Sequence, residues 1–346
     1  MRVLLTGATG VVGTELVRQL RGALPPSGPT LVRVARRAED ETLVRWRIGA
    51  EPAPQALSGH WDVIVHAAAT TRWTLGLDEA VAANVEPLRA VLALADRDTH
   101  LVQVSTAYVG GVRNPEDLRG AEFEGYRNGY EWSKARCEEV ARAEHPGPLT
   151  LVRPPLVVGR RGDGEIARFS GPYTLLHALV SGLAAVVVGD PAGYAEISPV
   201  DEVAAVIAAA ALGAPPPRPR TEVIAGGRGA LTLTALLDVI CETLNECRTA
   251  QGVAPVERPP LVSGDSWDRF FRPLADQFLS PFQSQAVQLL AMFQSYTSMS
   301  EPFEPTWTVV DPAAVMAASV RHWAARKPRL ALARPEPWTL LAAAAG

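Results

Sequence analysis

The chain has 346 residues, with 33 Lys and Arg against 37 Asp and Glu, a net charge of −4, and 47% hydrophobic residues. At ~150 residues per domain, that length predicts about two domains, or one with an elaborated lobe, able to bury a core without crosslinks. This composition excludes a disordered chain, disfavours a nucleic-acid partner that would need a clustered basic face, and leaves three scattered cysteines (Cys137, Cys241, Cys247), too few for a disulfide framework or a zinc site.

In chain order, Arg2–Leu5 is an apolar run suited to a buried parallel strand. It ends in Thr6-Gly7-Ala8-Thr9-Gly10-Val11-Val12-Gly13, and an amphipathic helix follows through Glu15–Leu20. Further strands are expected at Thr30–Ala35, Trp61–His66, Leu101–Val104 and Leu149–Arg153, with a helix over Trp132–Ala143. This alternation predicts an α/β fold: a doubly wound parallel sheet of the Rossmann type, covered by helices on both faces.

After about residue 155 the rhythm breaks. A helix near Asp201–Leu212 and a strand at Thr221–Ala225 are separated by Pro215-Pro216-Pro217, which no helix could cross. The longest apolar runs, Ala178–Val188 and Val203–Ala214, fall short of the ~20 residues that span a bilayer. They read as a core strand region and a buried helix. From Gly252 the chain becomes aromatic, with Trp267, Phe270, Phe271, Phe278, Phe282, Phe293, Tyr296, Phe303 and Trp307, which predicts a smaller C-terminal lobe over the carboxyl edge of the sheet. The expected division is residues 1–159 and 197–228 for nucleotide binding, and 160–196 and 229–346 for a substrate lobe. Met1 runs directly into a strand, so cleavage of a leader there would remove structure. A cytoplasmic protein is expected, with no membrane span, no nucleic acid and no metal.

The spacing Gly7-x-x-Gly10-x-x-Gly13 after a strand and at a helix start lets backbone approach a pyrophosphate at the helix N-terminus. An ordinary glycine-rich turn would look alike in isolation, but this context favours a dinucleotide held by Thr6, Gly7, Thr9, Gly10, Val11, Val12 and Gly13. The second strand ends in Ala35-Arg36-Arg37, with no acid before Glu39. Arg36 and Arg37 suit a ribose 2′-phosphate, where a carboxylate would repel it, so NADPH is the expected cofactor.

Tyr130-Glu131-Trp132-Ser133-Lys134 puts a phenol and an ammonium on one helix face. Six tyrosines and two lysines would place such a pair by chance only about 3% of the time. Only Lys134 and Lys327 are lysines among the 33 basic residues, so a lysine kept at this position is informative. A phenol of pKa near 10 needs nearby positive charge to exchange protons at neutral pH, which is the expected task of Lys134 helped by the charge of the oxidised nicotinamide. Ser105-Thr106, at the end of a central strand, supply hydroxyls where ligands bind in such sheets.

These marks resemble the extended short-chain dehydrogenase/reductases: Thr6-Gly7-x-x-Gly10-x-x-Gly13, His66-Ala67-Ala68-Ala69, Asn84-Val85, Ser105-Thr106, Tyr130-x-x-x-Lys134 and Arg153-Pro154-Pro155, in that order. Within that group the chain is most similar to the thioester reductase and fatty acyl-CoA reductase branch, through Val104–Gly111, Gly129–Lys134, Val152–Phe169 and Ile197–Ala204. The resemblance is strong over residues 1–240 and faint beyond. It implies that Thr106, Tyr130 and Lys134 are catalytic, and that Ala67, Ala68, Ala69, Asn84, Ser105, Lys134, Pro154 and Leu156 join the cofactor site. Ala50 stands where relatives usually carry an adenine-contacting Asp. The implied reaction is reduction of an acyl thioester, on CoA or a carrier protein, to an aldehyde, with a second hydride able to yield the alcohol. Arg160, Arg161 and Arg168 would meet an acidic carrier or CoA phosphates, or are simply solvated arginines in an Arg-rich chain. Two rival readings stand beside it: an enzyme of the same group acting on a nucleotide sugar or hydroxysteroid, and a non-catalytic NADP(H)-binding sensor or scaffold.

Overall fold

Short runs of Val, Leu and Ile make the strands, and a glycine turn sends the chain from the first strand into its helix. The computed structural model describes residues 1–23, 30–37, 41–110, 125–273 and 296–335, with Phe123, Gln277 and Leu279. The first half runs β1 (Arg2–Thr6), α1 (Val11–Ala23), β2 (Thr30–Ala35), β3 (Leu43–Arg45), β4 (Val63–His66), α2 (Leu77–Ala80), α3 (Glu86–Leu92), β5 (His100–Val104), α4 (Gly129–Glu144) and β6 (Leu149–Arg153). Next come β7 (Leu156–Val158), α5 (Tyr173–Ser181), β8 (Val187–Val188), β9 (Tyr194–Ala195), β10 (Ile197–Pro199) and α6 (Val200–Leu212). β11 (Arg220–Ala225), β12 (Leu231–Thr232), α7 (Leu233–Thr249), β13 (Leu261–Val262) and β14 (Trp307–Thr308) follow, and then a helix over Pro312–Arg326.

The chain divides into two compact units. The first comprises Met1–Pro155, Val200–Ile224 and Pro305–Trp307; the second comprises Leu156–Pro199, Ala225–Glu304 and Thr308–Gly346. An eight-stranded sheet has the order β14-β11-β6-β5-β4-β1-β2-β3, parallel from β11 to β3. The expected doubly wound parallel sheet is therefore present. Strand order reverses at β1 and β4, so their connections leave in opposite directions and a crevice opens at their carboxyl ends, at Thr6 and His66.

Register explains how one sheet face is divided between core and site. Leu4, Ile64, Leu101 and Leu149 stand opposite one another across β1, β4, β5 and β6, all buried in one cluster with Trp46, Trp61, Leu88 and Val140. Two residues on, the same face carries Thr6, His66 and Gln103 in register, all buried and all polar. The polar row marks where the core stops. α1 and α6 also pack together, with Gln19 donating to the Asp201 carbonyl at 2.8 Å.

In the second unit, α7 packs on the helix Pro312–Arg326, and small two-stranded pairings join β7 to β10, β8 to β13 and β9 to β12. The buried Glu196 carboxylate accepts from the backbone N–H groups of Gly226 (2.7 Å), Gly227 (3.1 Å) and Phe303 (3.1 Å), tying two loops to β10. The expected core strand over Ala178–Val188 is corrected: α5 continues to Ser181, Gly182 caps it at φ 80°, and only Val187–Val188 is extended. A run apolar at nearly every position carries no period by which to tell helix from strand. Of the aromatic series, Trp267 stacks on Phe271 and Tyr296 is buried, but Phe270 is 65% exposed. Phe278, Phe282 and Phe293 lie outside the described residues.

Candidate functional site

The turn after β1 is built on close backbone approach. Gly7 has φ 71°, and a Cβ there would lie 2.6 Å from the Ala68 nitrogen and 2.7 Å from the Ala67 carbonyl carbon. A Cβ on Gly13 would lie 2.1 Å from the Gly7 oxygen, so the first turn of α1 can sit against the loop only as glycine. Gly10 donates to the Gly7 carbonyl at 2.9 Å, Thr14 donates back to Gly10, and Thr9 stays exposed. The first turn of α1 holds no acid, leaving its positive end uncancelled. Ala67 and Ala68 are half-buried and Ala69 is exposed; Val11 and Val12 are half-buried. Arg36 and Arg37 are both exposed just past β2.

At the carboxyl end of β4, His66 Nδ1 is 2.8 Å from the Thr6 hydroxyl, which also accepts from the Ala68 N–H at 3.3 Å. Burial, and secondarily the charge of Lys134, push this imidazole down to about 3, so it is neutral at physiological pH. The sequence reading gave His66 no role. The signal was its place at a strand end facing Thr6 in register.

α4 carries the Tyr–Lys pair, and its start is fixed locally. Asn128 caps it, accepting from the Glu131 N–H at 3.0 Å. Gly129 passes so close to Leu75 that a Cβ would stand 2.4 Å from that residue's oxygen. Asn84 lies in a π-helical turn, Val81–Val85, between α2 and α3. Its amide accepts from Thr70 N–H at 2.7 Å, and donates to the Thr70 carbonyl at 3.1 Å and the Ser133 hydroxyl at 2.8 Å. The expected cofactor contact through the Asn84 side chain thus gives way to a structural one: its donors are spent holding α4.

The structure brings Thr106, Tyr130 and Lys134 together. Thr106 is 3% exposed, donates to the Pro154 carbonyl at 3.3 Å, and shares a hydrogen bond with the Tyr130 phenol. Lys134, also 3% exposed, donates to the Val104 carbonyl at 2.6 Å. Burial pushes its ammonium down, with Cys137 and Glu138 pushing partly back. Glu138 itself faces Arg153, whose Nε donates to it at 2.8 Å. The expected lowering of the Tyr130 phenol by Lys134 is not what the arrangement gives. Burial foremost, and then Glu131, push the phenol up, only the Thr106 hydrogen bond works against them, and the ammonium is turned to Val104. Desolvation wins over a charge aimed elsewhere.

Pro154 is buried, and its carbonyl receives both Thr106 Oγ1 and the Ala107 N–H. Leu156 opens β7 in the second unit, where its N–H donates to the Glu196 carbonyl at 3.3 Å. The Ser105 hydroxyl is buried without a partner. A glycine cradle that any Cβ would fill and an orphaned hydroxyl beside the Thr106–Tyr130 pair fit a bound dinucleotide. Among the described residues, no group of three His, Cys, Asp or Glu could hold a metal, and no helix is long and apolar enough to cross a membrane.

Residues 50–207 match the family model of the male sterility protein. The chain is 27% identical over 174 residues to a fatty acyl-CoA reductase of Drosophila melanogaster, covering 40% of this chain and 34% of that protein. It is 30% identical over 251 residues to the isonitrile lipopeptide synthase of Streptomyces coeruleorubidus, covering 62% of this chain and 17% of the synthase. The chain thus spans about a third or less of the curated relatives it matches. Its fold is similar to the terminal R domain from the myxalamid PKS-NRPS pathway, with a TM-score of 0.67 at 19% identity, over 94% of this chain and 90% of that one.

Proposed function

We propose that the chain belongs to the extended short-chain dehydrogenase/reductases, on the branch of the thioester and fatty acyl-CoA reductases, and that it reduces an acyl thioester to an aldehyde with NADPH. The observation that carries this reading is the buried Thr106–Tyr130 hydrogen bond with Lys134 one helical turn away. NADPH would supply the hydride. The glycine turn at Gly7, Gly10 and Gly13 would hold its pyrophosphate, Arg36 and Arg37 its 2′-phosphate, and Ser105 and Lys134 its nicotinamide half.

In this reading Tyr130 donates to the thioester carbonyl oxygen, and Thr106 joins it by turning its hydroxyl proton away from the Pro154 carbonyl. Because charge grows there as the carbon becomes tetrahedral, preplaced donors stabilise the transition state more than the ground state. A half-buried phenol held in its protonated form is an acid rather than a base, which is the direction that reduction requires: Tyr130 gives its proton to the alkoxide. The hemithioacetal then collapses to thiol and aldehyde. The second unit is proposed as the substrate lobe, with an acyl or peptidyl carrier protein as thioester donor and the cytoplasm as location.

The test is to incubate the chain with NADPH and acyl-pantetheine or acyl-CoA thioesters, following loss of NADPH absorbance and trapping the aldehyde with hydroxylamine. Tyr130→Phe should lower turnover by about 10²–10⁴-fold while leaving NADPH affinity nearly unchanged, which separates a reductase from a sensor. Turnover of a nucleotide sugar or hydroxysteroid with no response to any thioester would overturn the reading.

A further inference from the structure

Glu131 follows Tyr130 directly and has no exposed side-chain surface. A buried carboxylate next to a phenol that must give up a proton needs a counter-charge. Arg127 provides it: Nη1 donates to Oε1 at 3.1 Å and Oε2 at 3.3 Å, and the Arg127 backbone N–H also reaches Oε2 at 3.3 Å. The Arg127 side chain is itself 11% exposed. Its guanidinium carbon stands 5.5 Å from the centre of the Tyr108 ring. Tyr108, in turn, donates its backbone N–H to the Thr106 hydroxyl at 3.4 Å. Arg127 therefore touches both arms that present the donor pair: the first turn of α4 and the segment leaving β5.

Resting on the reading above, we propose that Arg127 is a positioning residue, whose pairing with Glu131 shields the Tyr130 phenol from the adjacent carboxylate and braces α4 against the Thr106–Tyr108 segment. Among the described residues, the groups that act on the phenol are Glu131 and Cys137 on α4, with Lys134 one turn on, and Thr106 from the exit of β5. His66 acts on Lys134 from β4. Glu131 already holds the phenol above its ordinary value. Removing Arg127 takes from that carboxylate its described counter-charge, whereas removing the carboxylate leaves a guanidinium nearby. The two changes must act in opposite directions.

The experiment reads Tyr130 itself rather than turnover. Protein labelled with ¹³C at tyrosine Cζ is titrated by NMR with NADP⁺ added, and Tyr130→Phe assigns the signal. Glu131→Gln should bring the Tyr130 titration to lower pH by about one unit, and Arg127→Met should move it higher. The double variant should lie near wild type, and Arg127→Lys should restore most of the wild-type position. In thioester turnover the alkaline limb should follow the same order. Single variants that both move the titration the same way, or a folded Glu131→Gln protein with no downward shift, would overturn the proposal. If Arg127→Met does not fold, Glu131→Gln and Arg127→Lys still decide it. Opposed shifts without any thioester turnover would sink the functional reading and leave this inference standing.

Discussion

At the amino end of β5 and β6, His100 Nε2 lies 2.9 Å from the Thr150 hydroxyl, and His145 Nε2 donates to the carbonyls of Thr99 (3.1 Å) and Pro148 (3.2 Å). At the carboxyl end of β4 and β5, His66 faces Thr6, but its other neighbour is the Lys134 ammonium, whose described contact is a neutral carbonyl. Ser105, beside it, has no partner among the described residues. Both ends bury imidazoles in neutral form. Among the described residues both ends also leave buried polar atoms unpartnered, the Nδ1 atoms of His100 and His145 at the amino end and the Ser105 hydroxyl at the carboxyl end. What the carboxyl end adds is a buried cation whose described contact is a carbonyl rather than a carboxylate, a charge held for a ligand at a cost to the fold.

The sharpest way to break this comparison is Lys134→Met. If the ammonium serves the reaction, turnover should fall by about 10²-fold or more, yet the urea midpoint should match or exceed the wild type's, since a desolvated charge has been replaced by a thioether. A loss of stability greater than about 1 kcal/mol would make Lys134 a structural residue. The converse change at the amino end is Thr150→Val, which keeps shape and strips His100 of its partner. It should cost about 1–3 kcal/mol in urea unfolding and leave kcat/KM unchanged. Equal effects of the two variants on turnover would erase the distinction between the ends.

How much of this was legible in the sequence follows from the range of the forces involved. The glycine turn, the parallel strands and the Tyr130–Lys134 pair are set by local spacing, and the family marks run in order along them. The polar row Thr6–His66–Gln103 depends on register between strands some 35–60 residues apart in the chain, which no periodicity reports. Likewise the family resemblance implies Asn84 as a cofactor contact, and no local spacing reports that a π-helical turn carries an amide that donates to Ser133. The phenol of Tyr130 was expected to be lowered by a charge one turn away. Burial, a property of the assembled sheet and helices, reversed the sign. In the second unit the apolar residues on both sides of Ser181-Gly182 concealed the end of α5, although Gly182 in the left-handed conformation is what stops it.

The smallest expected effect compares the two ends by pH. Burial lowers His66 to about 3 and His100 to about 4, and lowers His145 as well, while the unfolded chain titrates near 6.5. Below about pH 6.5 the unfolded state therefore binds protons that the folded state refuses. The stability from these groups is complete above that pH and is lost as the medium is acidified toward 4. Each histidine steepens the loss by at most about 1.4 kcal/mol per pH unit. His60, raised by its exposed contact with Asp96, works in the opposite sense, but it is screened by solvent. Urea midpoints measured across this range should thus fall with acid in the wild type, and His66→Asn and His100→Asn should each flatten the slope by about one proton. Were His66→Asn to leave the slope unchanged while His100→Asn flattened it, the proton at the carboxyl end would be entering elsewhere, and the burial of Lys134 against a neutral imidazole would no longer explain why that end is the costly one.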